Sequence, residues 1–144
     1  MLQSAPPICR DEAPARALAL LLAANRELGH AEWHELERLR AFHRLGVTVT
    51  RFRQLMRHCA SDVGASLCQR SWLSAAEAGY VNAVLDAVED DDARLLVLRL
   101  SMAAITADGR ISRDERLVYL HCLARWGISP QRVVQAMVVE HALA

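Results

Sequence analysis

The chain has 144 residues and a formal net charge of zero, because 17 arginines balance 17 acidic residues and lysine is absent. This length is typical of one domain, and a hydrophobic share of 53% is enough for a core, which excludes an intrinsically disordered chain. Only 5% of the residues are aromatic, which argues against an all-β sandwich, and no apolar run reaches the roughly 18 residues of a membrane span.

Apolar residues recur at steps of three and four along most of the chain, a spacing that predicts about seven α-helices. Gly46 and Gly127 each end a predicted helix, and Ser129 followed by Pro130 begins one. No stretch alternates with the period of two that a strand requires, so the predicted fold class is all-α. In chain order, the predicted helices are 12–27, 31–45, one opened by Thr48 or Thr50, 74–88, 93–107, 112–126 and 129–141.

Cysteine usage and the most apolar segment bear on the cellular compartment. The run Ala17–Ala24 is interpreted as a core helix rather than a signal peptide. No CxxC spacing occurs, and a domain of this size does not need disulfides, so we expect a reduced, cytoplasmic protein. The cysteines are Cys9, Cys59, Cys68 and Cys122.

The second part of the chain repeats the first at an offset of 81 residues without a gap, as from Gly46 to Gly127 and from Arg51 to Arg132. The offset preserves the order helix, loop, helix, glycine, helix. It predicts an internally duplicated helical bundle in which two halves are related by a pseudo-two-fold axis. The alternative is a chance match between helices rich in Arg and Ala. The predicted organisation is a single domain over 1–144, with pseudo-repeats at about 12–60 and 93–142 and a linking segment at 61–92.

A motif in the stretch 104–129 resembles the TerB-like family of tellurite-resistance and related bacterial proteins. In that family a helix ends in Ala-Asp-Gly, an aliphatic residue, a Ser or Thr and a Glu follow, and the next helix closes on a glycine step. The corresponding residues here are Asp108-Gly109, Ile111, Ser112, Glu115 and Trp126-Gly127. The resemblance implies an all-helical fold with two related halves. It also implies a non-catalytic interaction module in stress response, metal-responsive and acting near the inner membrane.

Three acidic residues around this loop are candidate oxygen ligands for a divalent cation such as Ca²⁺, Mg²⁺ or Zn²⁺: Asp108, Asp114 and Glu115. The alternative is a purely structural turn, in which Gly109 ends one helix and Ser112 caps the next. Arg110 and Arg113 flank the loop, where the family often has acidic residues, and would repel a cation. We therefore expect any cation binding to be weak.

Signatures of catalysis do not occur in the sequence, which contains no GxSxG, no Walker loop and no GxGxxG. His30 and His34 stand four residues apart and share a helix face, yet no third metal ligand can be placed beside them. We therefore expect a protein that is not an enzyme and has no identifiable small-molecule substrate.

Arginines are concentrated between residues 38 and 60, a stretch without any acidic residue, whereas residues 61–92 are rich in acids. The two segments could meet within one chain, meet across a homo-oligomer interface, or leave the arginines to an external partner. We expect a protein partner, including a second copy of the chain. The alternative is nucleic acid or an anionic membrane surface, although the pI near 7 and the lack of interleaved aromatic residues disfavour nucleic acid. The arginines of this Arg38–Arg57 basic face are Arg38, Arg40, Arg44, Arg51, Arg53 and Arg57.

Overall fold

The structure is a computed structural model that describes residues 12–23, 28–59, 75–107, 109 and 113–143, and all regular elements in these ranges are α-helices. The all-α prediction is therefore confirmed. The eight described helices are α1 (Ala13–Ala23), α2 (His30–Arg38), α3 (Ala41–Leu45), α4 (Val49–Cys59), α5 (Ala75–Asp86), α6 (Asp91–Thr106), α7 (Arg113–Trp126) and α8 (Pro130–Leu143).

Helix α1 lies at the centre of the bundle. Ten of its 11 residues are buried, and the exception, Arg16, is half-buried. A helix that is apolar on all sides has to be surrounded by other helices. Each of the helices α3 to α7 contacts α1, with α4 and α6 packing on it most extensively.

The predicted helix 31–45 is wrong as a single element, because it is divided at Arg40. This residue has a left-handed conformation with φ of 56° and separates α2 from α3. On an unbroken helix, Leu45 would lie about 180° around the axis from Leu36. The break allows both leucines and Phe42 to be buried. Each buried side chain of this kind contributes about 1.5–3 kcal/mol, which outweighs the roughly 1–2 kcal/mol cost of a left-handed arginine.

Capping residues fix the beginnings of three helices. The side chain of Thr48 accepts a hydrogen bond from a backbone N–H of α4 at 3.0 Å, and that of Ser129 does the same for α8 at 3.2 Å. Asp90 caps α6 at 2.9 Å, so this helix begins at Asp91, two residues before the predicted start. These caps satisfy backbone donors that have no partner within the helix.

The two ends of the chain share local geometry at the offset of 81 residues. Gly46 and Gly127 have φ of 74° and 65°, and the same two backbone hydrogen bonds close α3 and α7 around them. In each of the helix groups α1–α4 and α6–α8, an arginine on the last helix forms an ion pair at the beginning of the first helix. Arg51 on α4 pairs with Glu12 beside α1, and Arg132 on α8 pairs with Asp91 on α6.

Helix α5 is held against α7 by polar contacts. Arg125 pairs with Asp86 at 2.7 and 2.9 Å. His121 Nε2 lies 2.7 Å from Asn82 Oδ1, and the indole N–H of Trp126 donates to a backbone carbonyl of α5 at 3.0 Å. These contacts attach the linking helix α5 to the second half of the chain.

Candidate functional site

The structure distributes the Arg38–Arg57 basic face over α2, α3 and α4, and on α4 Arg51 and Arg53 lie on two different sides. The guanidinium of Arg51 donates to both carboxylate oxygens of Glu12, at 2.6 and 2.8 Å, on the side of α4 that meets α1. The guanidinium carbon of Arg53 lies 4.3 Å from the ring centroid of Trp33 on α2. Because successive helix residues point about 100° apart, two arginines at this spacing serve different neighbours.

The remaining arginines of the basic face differ in their hydrogen bonds and in their exposure to solvent. Arg38 forms a bidentate pair with Glu35 at 2.6 and 3.0 Å. Arg44 is half-buried and donates to the carbonyl of a neighbouring residue, Leu39, at 3.3 Å. Arg40 and Arg57 are exposed, as is Arg53. The six arginines therefore do not form one uniform surface.

Acidic residues that follow the basic segment pair with arginines elsewhere. Asp86 pairs with Arg125 and Asp91 pairs with Arg132, both in the second half of the chain. Of the three possibilities for the two segments, contact within the chain therefore does not describe these two carboxylates. Asp86 and Asp91 lie close to these arginines because α5 packs on α7 and α6 packs on α8.

Trp33 on α2 packs against α4, on the side of α4 that carries Arg53. Its ring centroid lies 5.7 Å from that of Phe42 and 6.1 Å from that of Phe52, and both phenylalanines are buried. One part of the half-buried ring therefore packs on the core while Arg53 covers another. Arg57 is exposed one helix turn beyond Arg53. We call Trp33, Arg53 and Arg57 the tryptophan–arginine surface.

The predicted cation ligands fall largely outside the described residues. Asp108 is not among them, and of Asp114 and Glu115 only the backbone is described, in the first turn of α7. Gly109 has φ of 78°, which confirms the left-handed conformation that the turn required. His30 is exposed, and within the described ranges no three His, Cys, Asp or Glu side chains come together as a metal site.

Sequence reasoning missed a groove of about 410 Å³ between α4 and α5, which we call the α4–α5 groove. Both helices pack on α1 far more than on each other, so a space remains between them. Its lining comes from residues up to 71 positions apart, so no local motif could have revealed it. The polar side chains that line it include Arg16, Arg51, His58 and Tyr80.

Electrostatics differ between the two ends of the groove. At one end Arg51 binds Glu12, and this hydrogen bond holds the pKa of the carboxyl below its ordinary value of 4.5. Arg16 makes a longer contact with the same carboxylate, at 3.4 Å. At the other end the Tyr80 hydroxyl donates to Cys59 Sγ at 3.8 Å.

Two buried groups on α7 have strongly raised pKa values. The second buried thiol, Cys122, has its pKa raised to about 12 by burial, so it is protonated at neutral pH. Tyr119, which is also buried, has its pKa raised to about 12 for the same reason. Both side chains belong to the buried face of α7.

No family model, no curated protein and no solved structure matches the chain. In the part of the chain that the structure describes, no helix combines the length and the apolar character that crossing a membrane demands.

Proposed function

We propose that the chain is a non-catalytic, TerB-like module that binds an acidic protein partner through the tryptophan–arginine surface. The observation that supports this most strongly is the guanidinium of Arg53 placed 4.3 Å from the centroid of the Trp33 ring. Tryptophan and arginine dominate the energetic centres of protein interfaces. The indole ring offers much contact area for few rotatable bonds, and the planar guanidinium both stacks on aromatic rings and pairs with carboxylates.

Preorganisation favours binding at this surface. The contacts of Trp33 with Phe42 and Phe52 hold the ring in place before a partner arrives. The ring in turn holds Arg53, so less side-chain entropy is lost on association. Arg57 adds an exposed positive charge one turn away, which a partner with acidic side chains would complement.

Nucleic acid or an anionic membrane surface, bound through the Arg38–Arg57 basic face, is the alternative partner. Two observations favour a protein over it. Ion pairs with Glu35 and Glu12 already neutralise Arg38 and Arg51, which reduces the charge available for phosphates. In addition, Arg53 covers a face of Trp33 that a base would otherwise stack on.

The TerB-like part of the proposal is supported by the motif in 104–129 and by the matched helix ends at Gly46 and Gly127. A cytoplasmic role in bacterial stress response, including tellurite resistance, and weak divalent-cation binding at Asp108, Asp114 and Glu115 follow from that resemblance. Calorimetric titration with Ca²⁺, Mg²⁺ and Zn²⁺ tests the cation site. Equal heats for the wild type and Asp108→Asn would exclude it.

The central experiment compares partner capture by the wild type and by a variant that carries both Arg53→Glu and Arg57→Glu. We expect the double variant to lose a specific protein from the source cells by about tenfold or more, because hot-spot truncations typically cost this much. The matched control is Arg116→Glu, which reverses the charge of an exposed arginine on a different helix, α7. This control variant should still capture the partner protein. Sedimentation shows whether the partner is a second copy of the chain.

Two outcomes would contradict a protein partner. One is equal capture by the double variant and the wild type. The other is binding to duplex DNA or to phosphatidylserine vesicles that weakens steeply with salt, which selects the alternative. Circular dichroism of each variant verifies that the helical fold is retained.

A further inference from the structure

We infer that the α4–α5 groove binds an amphiphilic anion, namely an aliphatic chain that ends in one carboxylate. The groove lies on the side of α4 that meets α1, away from the tryptophan–arginine surface. The inference therefore does not rest on the proposed protein partner. It follows from the length of the groove, the apolar character of its walls and the charge at one end.

The two helices that form the groove give it a defined length. On α4 the lining extends over the nine residues from Arg51 to Cys59, a rise of about 12 Å along the helix. The hydrogen bond from Tyr80 to Cys59 joins α4 to α5 at the second end. A volume of about 410 Å³ lies at the lower end of the range for ligand pockets, which suits a single short chain.

The walls between the two ends are apolar. Leu55 on α4 and Val84 on α5 both line the groove, and both are buried. Ala83 on α5 and Ala87, the residue after α5, add only methyl groups, so this part of the chain leaves the space open rather than filling it with side chains. A methylene chain would gain from leaving water here, at roughly 25 cal/mol for each Å² of apolar surface removed from solvent.

Positive charge is concentrated at the Arg51 end. Arg16 and Arg51 contribute two guanidiniums against the single carboxylate of Glu12, and the described lining residues include no acid. Arg51 is committed to Glu12 through two short hydrogen bonds, whereas among the described residues the side chain of Arg16 makes only its 3.4 Å contact. Arg16 therefore has donors available for a ligand carboxylate, in the charge-assisted geometry that guanidinium groups favour.

Decanoate is the probe that tests this inference, titrated by calorimetry below the concentration at which it forms micelles. We expect saturable binding of one decanoate per chain. Arg16→Gln should weaken this binding by about tenfold, since it removes the charged donor. Arg116→Gln, the matched control on α7, should bind decanoate as the wild type does. The uncharged analogue decanol should bind less tightly than decanoate.

A second variant tests the location of the aliphatic chain. Ala83 is exposed within α5, so Ala83→Leu should be compatible with the fold while filling the groove and abolishing binding. Ala124→Leu, at an exposed position of α7, is the control and should leave binding unchanged. Thermal unfolding of both variants checks that they fold.

Three results would overturn the inference: no saturable binding of decanoate, unchanged affinity in Ala83→Leu, or equal affinities for decanoate and decanol. The variant with Arg53→Glu and Arg57→Glu should bind decanoate like the wild type. Loss of the protein partner and loss of the ligand are therefore separate outcomes.

Discussion

The side chain of Ser101 is fully buried in α6, and its hydroxyl has no hydrogen-bond partner within the described part of the chain. An unsatisfied buried polar group costs about 1–3 kcal/mol, and alanine is the better helix former. We expect Ser101→Ala to raise the free energy of unfolding by about 1 kcal/mol, measured by urea denaturation.

Ser129 is the matched control for this substitution, because its hydroxyl caps α8 through a 3.2 Å hydrogen bond from the backbone N–H of Arg132. Ser129→Ala should lower the free energy of unfolding by about 1 kcal/mol. The same chemical change would thus have opposite signs at two positions. A loss of stability in Ser101→Ala would show that the hydroxyl is satisfied.

His121 links the stability of the fold to pH. Burial, together with the charge of Arg125, lowers the pKa of this histidine from its ordinary value of 6.5. The folded state therefore binds fewer protons than the unfolded state just below that value. The stability that depends on neutral His121 is present above about pH 6.5 and is lost as the pH falls below it. Urea denaturation between about pH 8 and pH 5 measures this decline.

His121→Gln should flatten that decline, because glutamine does not titrate. His34→Gln, at an exposed position of α2, serves as the control for replacing a histidine with glutamine. Glu12 does not interfere, since its pKa lies below 4.5 and its contribution is lost only at lower pH. An unchanged slope in His121→Gln would assign the pH dependence to other groups.

At the scale of the elements, two glycines have opposite roles. Gly127 ends α7 with φ of 65°, while Gly79 is exposed within α5. Gly127→Ala should lower the free energy of unfolding by about 1–2 kcal/mol through backbone strain alone. A β-carbon there would have no atom within 4 Å.

Gly79→Ala should raise the free energy of unfolding by about 0.5–1 kcal/mol, because alanine restricts the unfolded chain and favours the helix. A β-carbon at this position also has no atom within 4 Å. The pair is measured by urea denaturation under identical conditions. A neutral Gly127→Ala would mean that the turn does not require a left-handed residue.

Helix types and most helix ends were predictable because they depend on residues within about four positions of one another. Thr48, Ser129 and Gly127 illustrate this, since each acts on its own helix. The break at Arg40 was not predictable, because it is set by the burial of side chains against α1 and α6. Likewise, the stacking of Arg53 on Trp33 joins residues 20 positions apart on separate helices.

At the scale of the whole molecule, the two halves interlock. Helices α1 and α6 pack on each other, α2 packs on α6, and α7 packs on α1. Helix α2, in the first half of the chain, therefore covers α6, and helix α7, in the second half, covers α1. The tryptophan–arginine surface, however, is not repeated in the part of the chain that the structure describes. At the offset of 81 residues, Arg53 and Arg57 correspond to Val134 and Val138, which are exposed. We therefore expect one protein partner per chain.

The enclosure of α1 also has a consequence for biosynthesis. The ribosome releases α1 roughly 80 residues before α6, an interval of about 4–16 s at about 5–20 residues per second. During that time α6, one of the two helices that pack most extensively on α1, has not yet been synthesised, so part of α1 stays uncovered even after α4 has emerged. An apolar helix without a charged face is prone to aggregate in this state, so newly made chains need shielding by a chaperone or by the ribosome itself until the second half emerges.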